Sequence, residues 1–400
     1  QYDRQDVWGR IIPAQYETLS CTDISDDERE HVFEHFFLQP LPYDADKLYR
    51  IQLFHLPDGR FELCLLIHHL IFDGLSYAII SKQLHHLYHH LDDPQDQGTE
   101  MVSYQDYIEW KTNQEAHSRK ESAFWKNYLE QAETLRIPKH QNGQGIHSAF
   151  YEINLSEEAF RNINAFCKKE SVSPFVVLLA GYGVTIGNFL TSSSFAISTA
   201  VTDREQTKYL NTGGYIISVL PVMMNIENSI TTLALIKKLA KDIDTIKQHV
   251  MPINEISHLC HRQSELLLTD FSFNMQDAIP PFSISWEVES PSALALYVYR
   301  NQQQITIQFH YRKQWFAQQV IESMAKTMDA VYINMLSEPE QPLDKCLLIS
   351  AHDQSILTDG FRLSDKASPM DNVVTAIEKI AATTPDKTAY RYKGKDTSYR

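Results

Sequence analysis

The sequence predicts a mixed fold, α/β or α+β, built as two lobes of similar make that divide near residue 150. Three observations carry this expectation. Helical and strand periodicities are interleaved along the whole chain. The order helix, strand, helix, strands, helix recurs loosely in the two halves. Each half also contains one sharply punctuated unit, a hairpin over 48–69 and a proline-started apolar helix over 173–190.

Composition bounds the classes of function. A chain of 400 residues, at roughly 150 per domain, has room for two or three domains. Its 43% apolar and 22% charged residues are ordinary for a globular protein, which excludes disorder as the main state. With 13 glycines and 16 prolines it is not collagenous or of low complexity. A net charge of −15 argues against nucleic acid as the main partner. The cysteines, Cys21, Cys64, Cys167, Cys260 and Cys346, are odd in number, far apart and without a C-x-x-C pair. Neither a disulfide framework nor a zinc knuckle fits, and free thiols fit a reducing, cytoplasmic setting. No apolar run of about 18 residues exists, so no membrane span is expected, and no signal peptide is visible.

In chain order, Leu48 to Leu56 reads as a strand, Pro57-Asp58-Gly59-Arg60 as a turn, and Phe61 to His69 as a second strand. The apolar run Leu63 to Ile67 predicts burial on both faces. A helix follows from Leu75 to Leu91, with Ile80, Leu84, Leu87 and Leu91 in one apolar stripe. Residues 92–100 read as a loop. Tyr104 to Trp110 and Glu121 to Ala132 read as helices. A strand at 148–155 leads into a helix at Ser156–Lys169. Ser173-Pro174 is an N-cap with Pro at the first helical position, before a buried helix from Phe175 to Leu190. Phe195 to Val201 is β-like and Ile230 to Val250 is an amphipathic helix. Leu266 to Met275, Phe282 to Trp286, Ala293 to Tyr299 and Ile305 to Tyr311 read as strands, and Phe316 to Leu336 as a helix. Residues 337–370, richer in Pro, Asp, Ser and Gly, read as connecting chain. A last helix starts near Asn372 and ends at Thr384-Pro385-Asp386-Lys387.

The chemistry-bearing feature is His68-His69-Leu70-Ile71-Phe72-Asp73-Gly74. The strand runs through His69 in this reading, so the two imidazoles point to opposite faces. Asp73 lies just past the strand end, where a turn can bring it beneath an imidazole or onto a cation. Gly74 permits a sharp exit into the helix. A histidine at a strand end with a carboxylate nearby suits a general base or a positioning group near neutral pH. Satisfied core or rim histidines are the alternative. His85, His86, His89 and His90 sit at i,i+4 spacing on one helix. That spacing suits a metal, yet no Cys or carboxylate completes the set, so a solvated face is expected. Trp286, Tyr299 and His310 read as packing residues of the second half, as does Tyr104 to Trp110, with contact to a substrate or its channel as the alternative for each group.

The His-His-x-x-x-Asp-Gly segment after an apolar strand resembles the signature of nonribosomal peptide synthetase condensation domains, of the chloramphenicol-acetyltransferase-like acyltransferases. Other segments resemble family elements in the same order. They are Tyr104-Gln105-Asp106-Tyr107-Ile108-Glu109-Trp110, the stretch Ala200 to Glu205 with Asp203-Arg204, and Gly214-Tyr215-Ile216-Ile217-Ser218-Val219-Leu220-Pro221. The resemblance runs over about residues 8–350. Ser218 stands where the family has Asn, and Met223 where it has Arg. The family's first two arginine-bearing motifs have no counterpart, so the N-terminal lobe is expected to be incomplete at its start.

The resemblance implies two acetyltransferase-like lobes in a V around a central tunnel, with His69 at its floor. Residues 1–150 and 151–350 would be the lobes and 351–370 a linker. Residues 371–400 resemble the opening of an adenylation domain, through Val373 to Ala382, Thr384 to Ala389 and Ser398-Tyr399-Arg400. The implied reaction is amide formation between a donor acyl or peptidyl thioester and an acceptor aminoacyl thioester. Both would ride on 4′-phosphopantetheine arms of upstream and downstream carrier domains, with the adjacent adenylation domain as a further partner. No cofactor or metal bound by the chain itself is implied, and neither nucleic acid nor membrane. His69 would accept the amine proton or orient the nucleophile. His68, Asp73 and Gly74 would be structural, with Asp73 pairing Arg204 across the lobes. An epimerization domain, a non-catalytic docking platform and a free-standing coenzyme A acyltransferase are the alternatives. The adenylation-like tail disfavours the first and last, and the intact motif the second.

Overall fold

The structure, a computed structural model, describes residues 18–91, 98, 102–114, 118–133, 135, 137, 148–202, 204, 207–227, 229–260, 268–276, 292–346, 354–355 and 373–400. The chain divides into two compact units, Gln1–Leu348 and Ile349–Arg400. The expected strand Phe282–Trp286 and the loop at 92–97 lie outside the described residues, as does nearly all of 351–370.

The first unit is a two-lobed mixed α/β body. It opens with β1 (Cys21–Asp23) and α1 (Asp26–Leu38), which the periodicity did not reveal. The hairpin β2 (Tyr49–His55) and β3 (Phe61–Ile67) follows in full register from Tyr49 opposite Ile67 to His55 opposite Phe61. Gly59 closes its turn at φ 82°, a conformation that glycine adopts without cost. β1 joins β2 in parallel, giving a three-stranded sheet in the order β1-β2-β3. Its core is small: Ile24, Phe36, Phe54, Leu56 and Cys64. The expected two-sided burial of Leu63–Ile67 is not met. β3 is an edge strand in which only Cys64 is buried.

After β3 come α2 (Gly74–His89), α3 (Tyr104–Gln114) and α4 (Ser118–Tyr128). The apolar stripe expected on α2 is only half covered. Ile80 and Leu87 are partly buried, while Leu84 and Leu91 are exposed.

The larger sheet has six strands, β4 (Ser148–Asn154), β5 (Ser194–Thr202), β6 (Ile217–Asn225), β7 (Phe271–Met275), β8 (Leu294–Arg300) and β9 (Ile305–Arg312). Their order is β4-β9-β8-β7-β5-β6, parallel at β5–β7 and β7–β8 and antiparallel elsewhere. One face, with Ile197, Leu220, Val222, Phe273, Leu296, Ile307 and Phe309, is sealed by helices. These are α5 (Glu157–Glu170), α6 (Pro174–Leu190), α7 (Thr232–Ile246), α8 (Ile253–Leu259) and α9 (Gln318–Ser337). α6 is apolar all round because it is buried all round, and Pro174 occupies its first turn as the sequence predicts. α4 precedes residue 150 yet packs into this larger core. Trp125 is fully buried there, and its indole N–H donates to the His249 carbonyl at 2.8 Å.

The second unit holds α10 (Val373–Thr383) and the antiparallel pair β10 (Thr388–Tyr392) and β11 (Lys395–Ser398).

Candidate active site

β3 stops at Ile67, so both histidines fall in the turn beyond it. The expectation that strand alternation separates them is corrected: local hydrogen bonds do. His68 N–H still donates to Leu48 C=O at 2.9 Å, as the last rung of the hairpin. Its ring then folds onto its own turn, where Nδ1 accepts from Leu70 N–H at 3.1 Å. Ile71 N–H donates to His68 C=O, which completes the reversal. With Nδ1 accepting, a neutral His68 carries its proton on Nε2. His69 is exposed at the next position. Its ring meets that of Tyr215 edge to face, centroids 5.5 Å apart and planes at 72°.

Asp73 is the N-cap of α2, with extended backbone, and its Oδ1 accepts from Ser76 N–H at 2.8 Å. The same oxygen lies 2.8 Å from Ser76 Oγ and accepts from Arg204 Nη2 at 3.0 Å. Oδ2 accepts from Arg204 Nη1 at 2.7 Å and from Ile216 N–H at 2.9 Å. Arg204 spends its remaining donors on Thr212 C=O, Gly214 C=O and Ser76 Oγ. Both partners of the pair are buried. Burial by itself would raise the Asp73 pKa. Hydrogen bonds from Arg204, from Ile216 N–H and from Ser76 outweigh it and hold the carboxyl below the usual range. Asp73 is therefore ionised at neutral pH, with its acceptor sites filled.

Ser76, which the sequence did not single out, is the junction of this network. Its Oγ accepts from Gly214 N–H at 2.9 Å and lies 2.8 Å from Gly214 C=O. Gly214 itself is dictated by contact. Its φ is 154°, and a Cβ there would overlap the Tyr104 ring. Tyr104 donates its hydroxyl to Tyr215 C=O at 3.1 Å. The other aromatic residues of α3, Tyr107 and Trp110, pack with Tyr209 in a small cluster of their own. The Tyr104–Trp110 segment thus supports the loop between β5 and β6, as a packing role requires.

The four helix histidines pair as the spacing predicts, His85 with His89 at 4.4 Å and His86 with His90 at 4.3 Å between centroids. Among the described residues no group of three or more His, Cys, Asp or Glu forms a metal-holding set. No described helix is long and apolar enough to cross a membrane. Tyr299 is buried on β8, and His310 lies on β9 between Phe150 and Tyr297. Trp286 lies outside the described residues, as do Asp203 and Glu205.

The family model for the condensation domain matches residues 1–358, and the chain belongs to that family. Among curated relatives, surfactin synthase subunit 1 of Bacillus subtilis (strain 168) is 23% identical over 376 residues, covering 88% of this chain and 10% of the relative. Bacitracin synthase 2 of Bacillus licheniformis is 20% identical over 396 residues, covering 91% of this chain and 15% of the relative. The chain therefore spans a small part of the curated relatives it matches. Among solved structures, a four-domain nonribosomal peptide synthetase bound to AMP and glycine superimposes with TM-score 0.74 at 14% identity, covering 96% of this chain and 32% of that one. The first condensation domain of the calcium-dependent antibiotic synthetase, with a substrate analogue, gives 0.69 at 15% identity, covering 84% and 79%. The X-domain of teicoplanin biosynthesis, in complex with OxyB, gives 0.71 at 15%, covering 85% and 81%. At these identities the structural likeness establishes the fold alone.

Proposed function

We propose that this chain forms amide bonds in nonribosomal peptide synthesis. It would join a donor acyl or peptidyl thioester on one carrier domain to the amine of an aminoacyl thioester on another. The observation that carries this reading is the contrast between the two candidate bases of the motif. Asp73 is buried, ionised and fully engaged by Arg204, Ile216 and Ser76, so it has no site left for a substrate proton. His69 is exposed, with no hydrogen bond to its ring among the described residues.

The two phosphopantetheine arms deliver their thioesters into the space between the lobes. The amine nitrogen attacks the thioester carbon, the C–N bond forms, and the C–S bond breaks. The thiol leaves on the donor arm. His69 accepts the proton that the amine loses, or orients the amine by hydrogen bonding, and the proton ends on the departing thiolate. Much of the acceleration comes from proximity, since two oriented reactants gain about 7–11 kcal/mol over free encounter. In this reading His68, Asp73, Gly74 and Arg204 hold the turn and the loop that face His69. The lobes are residues 1–150 and 151–350, followed by a linker at 351–370.

Residues 371–400 are read as the opening of an adenylation domain. The four-domain synthetase aligns over 96% of the chain, against 84% for the isolated condensation domain, which supports that reading. A docking platform is the second reading, favoured by the likeness to the X-domain. Single-turnover dipeptide formation on loaded carriers decides between them. Wild-type protein makes product, and His69→Ala loses about 10²–10⁴-fold if the ring moves the proton. Absence of product from the intact protein, with loaded carriers present, would favour the platform.

A further inference from the structure

We propose that Tyr215 is a positioning residue for His69, and that the buried Asp73–Arg204 network seats it. The inference rests on the role given to His69 above. Tyr215 comes from the segment between β5 and β6, whereas His69 comes from the turn after β3, so their edge-to-face contact bridges the lobes. Three consecutive residues of the Tyr215 segment are tied down. Gly214 donates its N–H to Ser76 Oγ and accepts at its carbonyl from Arg204 Nη2 at 3.3 Å. Tyr215 C=O accepts from the Tyr104 hydroxyl. Ile216 N–H donates to Asp73 Oδ2.

The contacts close a circuit. His69 leads along the chain to Asp73, Asp73 holds Ile216, and Tyr215 returns to His69. The Tyr215 backbone cannot swing without breaking one of these bonds, and its ring is half-buried. His69 is the opposite case, an exposed side chain on a turn, which samples its rotamers freely unless a neighbour restrains it. An aromatic ring at edge-to-face distance is such a neighbour. The restraint matters because a base must stay within hydrogen-bond reach of the proton it takes, and a misplacement of about 1 Å can cost on the order of 10²-fold. The Asp73–Arg204 pair therefore acts on the reaction through geometry.

Histidine-labelled NMR of the 400-residue chain, with His69→Gln to identify the His69 signal, reads the ring directly. Tyr215→Leu is expected to move that signal to the position of a free imidazole, by loss of the ring current, without lowering the melting temperature. On carriers charged with the proteinogenic amino acids in turn, the same variant is expected to lose about 10- to 100-fold in the rate of amide formation. The apparent KM for the acceptor carrier stays unchanged, and Tyr215→Phe, which keeps the ring, recovers the rate. An unmoved His69 signal in Tyr215→Leu overturns the proposal, as does a Tyr215→Phe as slow as Tyr215→Leu. If Tyr215→Leu does not fold, Tyr104→Phe removes only the hydroxyl on Tyr215 C=O and must move the same signal. A His69→Gln protein of undiminished rate would instead overturn the role of His69, while the NMR shift still reports whether Tyr215 holds the ring.

Discussion

Asp73 and Arg204 form a bidentate pair across the two lobes, Nη1 to Oδ2 at 2.7 Å and Nη2 to Oδ1 at 3.0 Å, both side chains buried. The pair is also the hydrogen-bonding hub for Ser76, Thr212, Gly214 and Ile216. Removing one member strands the other as an uncompensated buried charge, which costs about 3–5 kcal/mol. Asp73→Asn and Arg204→Met are each expected to lower the melting temperature and the yield of folded protein. Arg204→Lys is expected to behave like Arg204→Met, since an ammonium cannot reproduce the forked geometry. Thermal melts check this. A melting temperature unchanged in Asp73→Asn would overturn the structural assignment.

Gly214 leads to a second expectation. A methyl group there overlaps the Tyr104 ring, and the backbone sits at positive φ. Gly214→Ala is expected to destabilise by about 1–3 kcal/mol, from strain and from displacement of the ring. Tyr104→Ala in the same protein opens the space, so the double variant should lose less than the sum of the singles. Chemical denaturation of the four proteins measures the coupling, and strict additivity would mean that the ring is not what excludes the Cβ.

The motif region marks where sequence reasoning succeeds and where it stops. The Asp73–Arg204 pair was legible only through the resemblance, since Asp73 and Arg204 stand in motifs that follow one family's order, and nothing in the local sequence links them. Ser76 was not legible. A serine three residues after an N-cap aspartate reads as ordinary capping chemistry, and its bonds to Gly214 join residues 138 positions apart. The strand end was misread because no glycine, proline or other turn residue follows the apolar run at Ile67 before Asp73, while the chain turns where the His68 ring takes Leu70 N–H. β6 was legible as a motif and not as a strand, since Pro221 breaks the pattern. The proline is tolerated because β6 is the sheet edge. The exposed stripe on α2 shows that periodicity reports a face and not its cover.

His310 predicts a pH dependence. It lies on β9, stacked on Phe150 and edge-on to Tyr297, and burial pushes its pKa down to about 4. In the unfolded chain a histidine titrates near ~6.5. Between those values the unfolded state binds more protons than the folded one, so stability falls as pH drops from about 6.5 to about 4. Above that window the contribution is fully present. The loss across it is about 3 kcal/mol. Asp73, with its lowered pKa, adds its own loss only below the ordinary carboxylate range near about pH 4, where the unfolded chain takes up the proton before the folded one does. His310→Phe is therefore expected to flatten the stability curve between pH 6.5 and 4 and to leave the steeper acid limb in place. Denaturant melts at stepped pH test it, and a curve as steep as wild type in that window would refute the burial assignment.

The adjacent histidines are expected to separate stability from chemistry. His68 closes its turn through Nδ1, at 3.1 Å from Leu70 N, and the turn delivers both His69 and the N-cap Asp73. His68→Ala leaves that N–H without its partner and is expected to cost about 1 kcal/mol. His68→Asn keeps an acceptor close to the backbone and should recover part of the loss. Among the described residues His69 makes no comparable bond, so His69→Ala is expected to melt with the wild type while amide formation falls. Melting temperatures and single-turnover rates measured on the same preparations give the two axes. A His69→Ala protein that melts early and a His68→Ala protein that folds normally but forms no product would reverse the assignment of the two rings.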